Sequence, residues 1–297
     1  MEREKQIRNV TLWGAVVNVI LTIAKVIAGI LGHSAAMVAD GIHSLSDLLS
    51  DFVVLVFTRI SSREKDKEHS FGHGKFETLA TLIVSVILIA AGARLLAGSI
   101  KSIVGVLNGE VLPKPGYIAL IAAVVSIVAK EILYRLTADV AKDVNSPVVM
   151  ANAWHHRSDA MSSIGSLVGI GGAILLGSRW TVLDPIASFA ISIAIIVVAV
   201  KMSLPSLAEL LETALPEDVE NDIIQTSMSV PGVRNVHELK TRRNGVSVII
   251  DAHIVVDPSI SIVEAHDIAT SVETALSLRF GPETQMSIHV EPAEDAR

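Results

Sequence analysis

The sequence predicts an α-helical membrane protein with six transmembrane helices, followed by a C-terminal α+β domain. Of its 297 residues, 51% are hydrophobic, and the mean hydropathy of +0.55 is too high for a soluble protein of ordinary composition. The apolar residues form long runs over residues 1–205, whereas residues 206–297 mix charged and apolar residues without a run long enough to span. We therefore expect a six-helix transmembrane domain over 1–205 and a soluble domain over 206–297.

Six apolar stretches are candidates for crossing the bilayer, which requires about 20 mostly apolar residues. The second and fifth are the least apolar, because each carries His and Asp in its first half. The charged N-terminus has no small-residue cleavage signature, so we expect the first stretch to remain in the mature protein. The predicted spans are residues 10–31, 34–60, 76–104, 117–140, 148–177 and 182–204.

The loop charges predict the orientation. Lys and Arg lie before the first span, between the second and third, and near the connection of the fourth to the fifth, but the first-to-second turn has no fixed positive charge. Because cytoplasmic loops are enriched in Lys and Arg, we expect a multi-pass protein of the cell (inner) membrane with both termini cytoplasmic. Charged residues within the spans are interpreted as snorkelling or packing residues: Lys25, Arg94, Lys130 and Glu131.

The soluble domain is predicted to have the order α-β-β-α-β. Helices are expected over 217–229 and 261–279, and strands over 233–241, 246–256 and 285–291. Asn244-Gly245 lies between the first two strands and predicts a hairpin. A three-stranded sheet with both helices on one face would bury the apolar residues.

Composition limits the possible chemistry. The formal charge of −7 and the scattered basic residues exclude a nucleic-acid partner, which requires a basic face. The absence of cysteine excludes disulfides and thiolate metal sites. Any metal must therefore be bound by His, Asp and Glu.

Two HxxxD motifs predict a metal site within the membrane. His43 and Asp47 on the second span lie one turn apart on one helix face, and His155 and Asp159 on the fifth repeat this spacing. A lone intramembrane His or Asp is equally explained by a hydrogen bond between helices. Two imidazoles and two carboxylates together form a tetrahedral set suited to zinc and acceptable to cadmium, cobalt or iron(II), and a dication offsets the cost of the buried carboxylates.

Other polar residues near these motifs allow two interpretations. Asp40 and Asp51 share the face of His43 and Asp47, and this acidic stripe is either a cation path or a pair of residues at water-filled helix ends. His156 is about 100° around the helix from His155 and is interpreted as a spectator.

Two further clusters lie outside the spans. Asp66, His69 and His73 in the loop KDKEHSFGHGKFE are candidate ligands for one ion, although charged loops often hold His without metal. The soluble domain contains His237, His253, His266, His289 and Glu291, of which the last two point to one face of a strand. The alternative for these histidines is an ordinary surface or core position.

The two HxxxD pairs lie in the contexts ADGIHSLSD and HHRSD, and the chain also contains the HSFGHGK loop and the PGVRNVHEL stretch. With these motifs the chain resembles the cation diffusion facilitator family over nearly its whole length. The resemblance implies a homodimer of six-helix protomers with a metallochaperone-like cytoplasmic domain. It also implies export of Zn2+ or a related ion from the cytoplasm in exchange for protons, with Zn2+ both transported and regulatory.

The resemblance assigns the candidate ligands to three sites. The transport site maps to His43, Asp47, His155 and Asp159, the loop site to Asp66, His69 and His73, and the cytoplasmic binuclear site at the dimer interface to His237, His253, His266, His289 and Glu291. Some relatives carry Asp in place of His43 or of Glu291, and His at the first position favours zinc and cadmium over harder ions. Lys75 and Glu212 stand where the family often has a charge pair joining the membrane part to the cytoplasmic domain.

The sequence thus predicts proton-coupled efflux of a divalent transition metal, with Zn2+ first and Cd2+, Fe2+, Co2+ and Mn2+ as alternatives. An alternative is a metal-sensing membrane protein or a metal-gated channel without proton-coupled transport. An intramembrane metalloenzyme would need a general base beside the metal, and no spare Glu accompanies either HxxxD motif. We therefore do not expect an enzyme.

Overall fold

The computed structural model describes residues 2–61, 65–143, 146–245 and 247–293. The chain forms two compact units, one of Met1–Phe52 with Val84–Lys201 and one of Val53–Ile83 with Met202–Arg297. The first unit is helical, and the second combines an α+β domain with adjoining helix ends and a loop. The predicted division at residue 205 stays a prediction, because the boundaries between the units fall within helices.

Six long helices correspond one to one to the predicted spans. They are α1 (Glu2–Leu31), α2 (Ala35–Ser61), α3 (Lys75–Leu107), α4 (Tyr117–Asp143), α5 (Pro147–Leu175) and α6 (Leu183–Leu210). Within the described residues, five of them are long and apolar enough to cross a membrane, and α2 is the exception. The polar and charged residues of α2 explain its lower hydropathy, as expected from its HxxxD motif.

The N-terminus of α2 is fixed by Asp184 at the start of α6. The Ser34 hydroxyl donates to Asp184 Oδ1 at 2.6 Å, and the Ala35 amide donates to Oδ2 at 2.7 Å. Ser34 Oγ in turn accepts from the Met37 amide at 3.1 Å. Free N–H groups at a helix start stabilise a carboxylate, so the buried Asp184 and the α2 terminus satisfy each other. This contact positions the helix that carries His43 and Asp47.

Small residues bring the helices around these motifs close together. Ala28, Ala36 and Ala119, from α1, α2 and α4, belong to one buried cluster. A Cβ added to Gly29 would lie 2.7 Å from the backbone nitrogen of Val38. Backbones that approach this closely pack tightly, as is usual for membrane helices that have small residues at their contacts.

The C-terminal domain has the predicted α-β-β-α-β order, so the predicted fold class is confirmed. Its elements are α7 (Glu217–Met228), β1 (Asn235–Asn244), β2 (Ser247–Val256), α8 (Ile262–Phe280) and β3 (Gln285–Pro292). The sheet order is β1-β2-β3, with β1 and β2 antiparallel and β2 and β3 parallel. The hairpin at Asn244-Gly245 is also confirmed, and Gly245 has the positive φ of 63° that favours glycine.

The core of this domain lies between the sheet and its two helices. Alternate residues of β2 enter the core, among them Ile250, Ala252 and Ile254. The helices supply the side chains that face them: Ile223 from α7, and Val272 and Leu276 from α8. Because strand side chains alternate, Asp251 and His253 lie on the opposite face of the sheet. That face is free of the helix-packed core and carries the histidine cluster described below.

Candidate metal centres

Helices α2 and α5 bring together three of the predicted transport ligands. Ligand atoms of Asp47, His155 and Asp159 all lie within 4.8 Å of one another. His155 Nε2 is 3.8 Å from Asp159 Oδ2, as expected for residues one turn apart. Asp159 is buried and His155 is exposed. Two carboxylates and an imidazole in an apolar helical unit have the chemistry to hold a dication.

His43, the fourth predicted ligand, lies outside this group of three. Its side chain is half-buried on α2, and its Nδ1 is buried without a hydrogen-bond partner among the described residues. A buried polar nitrogen without a partner is unfavourable. His43 is therefore a nearby imidazole with unused bonding capacity rather than a member of the close cluster.

Of the two interpretations of the charged residues within the spans, snorkelling or packing, burial excludes snorkelling for two lysines. Lys130 on α4 is 4% exposed, and its Nζ lies 2.6 Å from Asp159 Oδ2. Lys25 on α1 is 1% exposed and pairs with Asp40 at 2.9 Å. A charged side chain in an apolar unit needs a partner, and each lysine has a carboxylate. The signal available in the sequence was a lysine in the middle of an apolar helix, but the partner depends on helix packing.

The acidic stripe on α2 includes the carboxylate of the Lys25–Asp40 pair. Asp40 is 1% exposed, its Oδ1 accepts from Ser163 Oγ at 3.1 Å, and Lys25 binds its Oδ2. Because Asp40 is buried, it does not lie at a water-filled helix end, so that interpretation is wrong. Its place on a cation path stays a prediction. The side chain of Asp51 lies outside the described residues.

His156 is a third buried group that the HxxxD spacing does not use. It is 3% exposed, and neither ring nitrogen has a partner among the described residues. A Cβ added to Gly14 would lie 3.2 Å from its Nε2, so α1 packs directly against the ring. His156 is outside the group formed by Asp47, His155 and Asp159, and its assignment as a spectator stays a prediction.

The loop between α2 and α3 brings together all three of its predicted ligands. Asp66 Oδ1 is 3.2 Å from His69 Nδ1, and Asp66 Oδ2 is 3.3 Å from His73 Nε2. The two imidazole centroids are 4.4 Å apart. The backbone N–H of His69, with that of Glu68, holds the pKa of Asp66 below its usual value. Asp66 is thus ionised at neutral pH, which is the form that binds a metal.

The same loop is held against the β1–β2 hairpin. The Phe71 carbonyl accepts from Asn244 Nδ2 at 2.7 Å and from Gln285 Nε2 at 3.0 Å. A Cβ added to Gly74 would lie 2.4 Å from the Asn244 carbonyl oxygen, so only glycine permits this approach. The loop that carries the ligands therefore rests against the hairpin turn and the first residue of β3.

On the sheet, three histidines form a row across the strands. His237 pairs in register with His253, and His253 with His289. Glu291 joins them, since its Oε2 is 3.0 Å from His237 Nε2 and its Oε1 is 2.9 Å from His253 Nδ1. His289 Nε2 is farther away, at 3.7 Å from Oε1. One carboxylate is thus surrounded by imidazoles on the open face of the sheet.

A bulge in β1 sets the direction of His237. The register shifts between His237 and Lys240, and Glu238 has a positive φ of 47°. The extra residue lets His237 face outward while Leu239 packs on the core. Residue spacing alone gave no sign of this bulge.

Glu291 remains ionised among these histidines. Burial by itself raises its pKa, but the hydrogen bond from His253 and the positive charge that His253, His237 and His289 carry when protonated lower it overall. An ionised carboxylate beside neutral imidazoles is the ligand form that a transition metal requires.

His266 is not part of this row. It lies on α8 and lines a cleft with Ile288 and Val290, whose side chains face the helix-packed core. Within one protomer, the sheet therefore separates His266 from His237, His253, His289 and Glu291. From the sequence, His266 is assigned to one cytoplasmic site with the other four residues, because the sequence does not show which side of the sheet α8 covers.

The predicted charge pair between Lys75 and Glu212 is present. The Lys75 ammonium donates to Glu212 Oε1, and Arg242 Nε lies 2.9 Å from Oε2. The hydrogen bond from Lys75 and the two positive charges hold the pKa of Glu212 below its usual 4.5, against a smaller opposing effect of burial. All three side chains belong to the second compact unit.

Comparison with known proteins supplies the family. The cation efflux transmembrane domain matches residues 11–211, and the cation efflux protein cytoplasmic domain matches residues 215–293. Metal tolerance protein C1 of Arabidopsis thaliana is 38% identical over 291 residues, which cover 94% of this chain but only 61% of that protein. Manganese efflux system protein MneP of Bacillus subtilis is 32% identical over 295 residues, 98% of each chain.

A third relative is magnetosome protein MamM of Paramagnetospirillum magneticum, 34% identical over 269 residues, which cover 91% of this chain and 83% of that protein. Together the two domain matches extend over nearly all of the described helices and strands. The multi-pass helical unit and the α+β domain therefore correspond to the two domains of a cation efflux transporter. The chain belongs to the cation diffusion facilitator family.

Proposed function

We propose that the protein exports divalent transition-metal cations across the cell membrane in exchange for protons, with Zn2+ as the first candidate cargo. The observation that carries this proposal is the cluster of Asp47, His155 and Asp159 on two helices of a cation efflux transmembrane domain. Isolated acids are unfavourable in such surroundings, and a cluster of two carboxylates with an imidazole is compensated by a doubly charged ion. The cluster is therefore the transport site.

Proton exchange follows from the chemistry of these ligands. A metal binds neutral imidazole and ionised carboxylate, so metal and protons compete for the same atoms. If the site faces each side of the membrane in turn, metal loaded from the cytoplasm is released outside when protons replace it.

The donor set also supports a second cargo. Imidazole favours Zn2+, whereas carboxylates suit Mn2+. The close cluster contains two carboxylates and one imidazole, with His43 outside it, and one relative, MneP, is named a manganese efflux system protein. We infer that Zn2+ export depends on His43 joining the cluster, whereas Mn2+ export does not.

The loop and sheet clusters are proposed as regulatory metal sites. Asp66, His69 and His73 form one group, and His237, His253 and Glu291 form the other. The protein would act as a homodimer with both termini in the cytoplasm of the cell (inner) membrane, and metal bound at these sites would favour one transporter conformation. The loop contact with the hairpin through Phe71 and Asn244 gives the two clusters a direct structural connection.

The test is flux in proteoliposomes that enclose a zinc-sensitive dye, with and without a proton gradient. The parent protein and Asp159→Ala are compared, and Asp139→Asn serves as the control because Asp139 is an exposed acid on α4. We expect gradient-dependent Zn2+ entry in the parent and the control, and its loss in Asp159→Ala.

Other outcomes correct the proposal in distinct ways. Flux of Mn2+ but not Zn2+ would change the cargo and keep the site. Flux that is independent of the proton gradient would favour a channel. Binding without flux of either ion would leave a metal sensor, and equal flux in Asp159→Ala would show that the site is elsewhere.

A further inference from the structure

We propose that Lys130 is an internal counter-ion that occupies the transport site when the cargo is absent and exchanges places with it. The proposal rests on the proposed function and adds a positioning residue from a third helix. Lys130 lies on α4, outside both HxxxD motifs. Its ammonium donates to Asp159 Oδ2 at 2.6 Å, and the residue as a whole is 4% exposed.

The geometry makes the ammonium and the metal mutually exclusive. Asp159 Oδ2, which binds Lys130, is also the oxygen 3.8 Å from His155 Nε2 and therefore the one turned toward the other candidate ligand. Metal-to-carboxylate bonds are about 2.0–2.2 Å long. An ammonium and a dication on one oxygen would repel strongly in a site with few water molecules. Lys130 must move away for the cargo to bind.

The charge balance explains why such a residue is useful. Two carboxylates without a cation would leave two negative charges in an apolar unit, which is costly. The Lys130 ammonium reduces this to one while the site awaits metal. It also weakens metal binding by competition, and a transporter that binds its cargo less tightly releases it faster.

The rest of the molecule offers a matched control. Lys25 is also a buried lysine, 1% exposed, and pairs with Asp40 at 2.9 Å. Its ammonium additionally donates to Ser44 and Ser163, and none of these residues belongs to the cluster of candidate ligands. Like Lys130, Lys25 is buried and forms an ion pair with an aspartate. Unlike Lys130, it does not contact a candidate transport ligand.

The experiment measures the half-saturating Zn2+ concentration and the maximal rate of flux in proteoliposomes. Lys130→Gln and Lys130→Met remove the charge, Lys130→Arg keeps it, and Lys25→Met is the control. We expect the neutral variants to show a half-saturating concentration about tenfold lower and a lower maximal rate, because a competing ion pair has been removed. Lys130→Arg and Lys25→Met should keep the parental half-saturating concentration.

A purely structural ion pair would give a different result. Both neutral variants would then lose rate without any decrease in the half-saturating concentration, or would fail to fold even with excess Zn2+, and either result overturns the proposal. The same tightening in Lys25→Met would also overturn it, because the effect would not be local. Flux that Asp159→Ala leaves intact would refute the proposed transport site itself, so the two failures are distinguishable.

Discussion

The membrane cluster consists of Asp47, His155 and Asp159, and the sheet cluster of His237, His253 and Glu291. Both use carboxylates and imidazoles, but the charge of the carboxylate is compensated differently in each. In the helical unit, the Asp159 side chain is 11% exposed and is bound by a lysine ammonium. On the sheet, the Glu291 side chain is 35% exposed and is surrounded by imidazoles. A buried carboxylate needs a permanent cation, whereas a hydrated one does not.

This difference bears on function. The membrane cluster always holds a cation, either the ammonium or the cargo, and so is suited to exchange. The sheet cluster can stand empty at little cost, because water and the hydrogen bond from His253 stabilise Glu291. It is therefore suited to respond to the metal concentration.

The largest expected effect contrasts one ligand from each cluster. Loss of a partner from a buried charged group costs about 3–5 kcal/mol, so Asp47→Asn should reduce the maximal Zn2+ flux roughly 100-fold or more. The ion pair of His253 with Glu291 is partly exposed, and such pairs contribute about 1 kcal/mol or less of interaction free energy. His253→Ala should therefore change the maximal flux at most about fivefold. Initial rates in proteoliposomes with equal protein content measure both. If His253→Ala abolished flux, the sheet cluster would be obligatory and the contrast would disappear.

A smaller effect concerns the scaffold of the sheet cluster. Ile250 is fully buried beneath the face that carries His253. Ile250→Ala should destabilise the C-terminal domain by about 3 kcal/mol and Ile250→Val by about 1 kcal/mol, because each leaves a cavity in a close-packed core. Hydrogen–deuterium exchange of β2 in the full-length protein is the measurement.

We expect exchange of β2 to become roughly 100-fold faster in Ile250→Ala and several-fold faster in Ile250→Val, while exchange in α5 stays parental. This result would show that hydrophobic packing holds the sheet cluster independently of the membrane cluster. Equal acceleration in both regions would mean that the two sites share one cooperative unit.

Much of this architecture could be predicted because it depends on local spacing. The four-residue separation of His155 and Asp159 fixes their common face, and the two-residue separation of His289 and Glu291 does the same on a strand. The hairpin at Asn244-Gly245 needs only a residue that accepts positive φ. These features do not depend on what packs against the element.

The features that escaped prediction depend on long-range packing. Lys130 reaches Asp159 only because α4 packs beside α5, and no spacing rule joins residues that are so far apart in sequence. His266 was grouped with the sheet histidines because the side of the sheet that α8 covers is set by the core. The bulge at Glu238 changes the alternation of β1 without a glycine to mark it.

The smallest expected effect concerns the pair of Lys75 and Glu212, whose carboxylate is 48% exposed and thus more exposed than Asp159 or Glu291. Lys75→Ala should lower flux by a few-fold at most, since exposed pairs contribute about 0.2–1 kcal/mol, and Lys75→Glu combined with Glu212→Lys should restore part of the rate. High salt should weaken the parental pair and leave Lys75→Ala unchanged. If the charge swap restored nothing, Arg242, which also binds Glu212, would be the dominant partner.

The pH dependence of this pair has a definite sign. Because the folded-state pKa of Glu212 is below its usual 4.5, the stabilisation by Lys75 is complete above about pH 4.5 and is lost only as the pH falls through the lowered value. Any change of flux between pH 7.5 and 5.5 therefore arises elsewhere. Flux profiles of the parent and Lys75→Ala should thus run parallel over this interval. A Lys75→Ala profile displaced along the pH axis would instead connect this pair to protonation of the transport site.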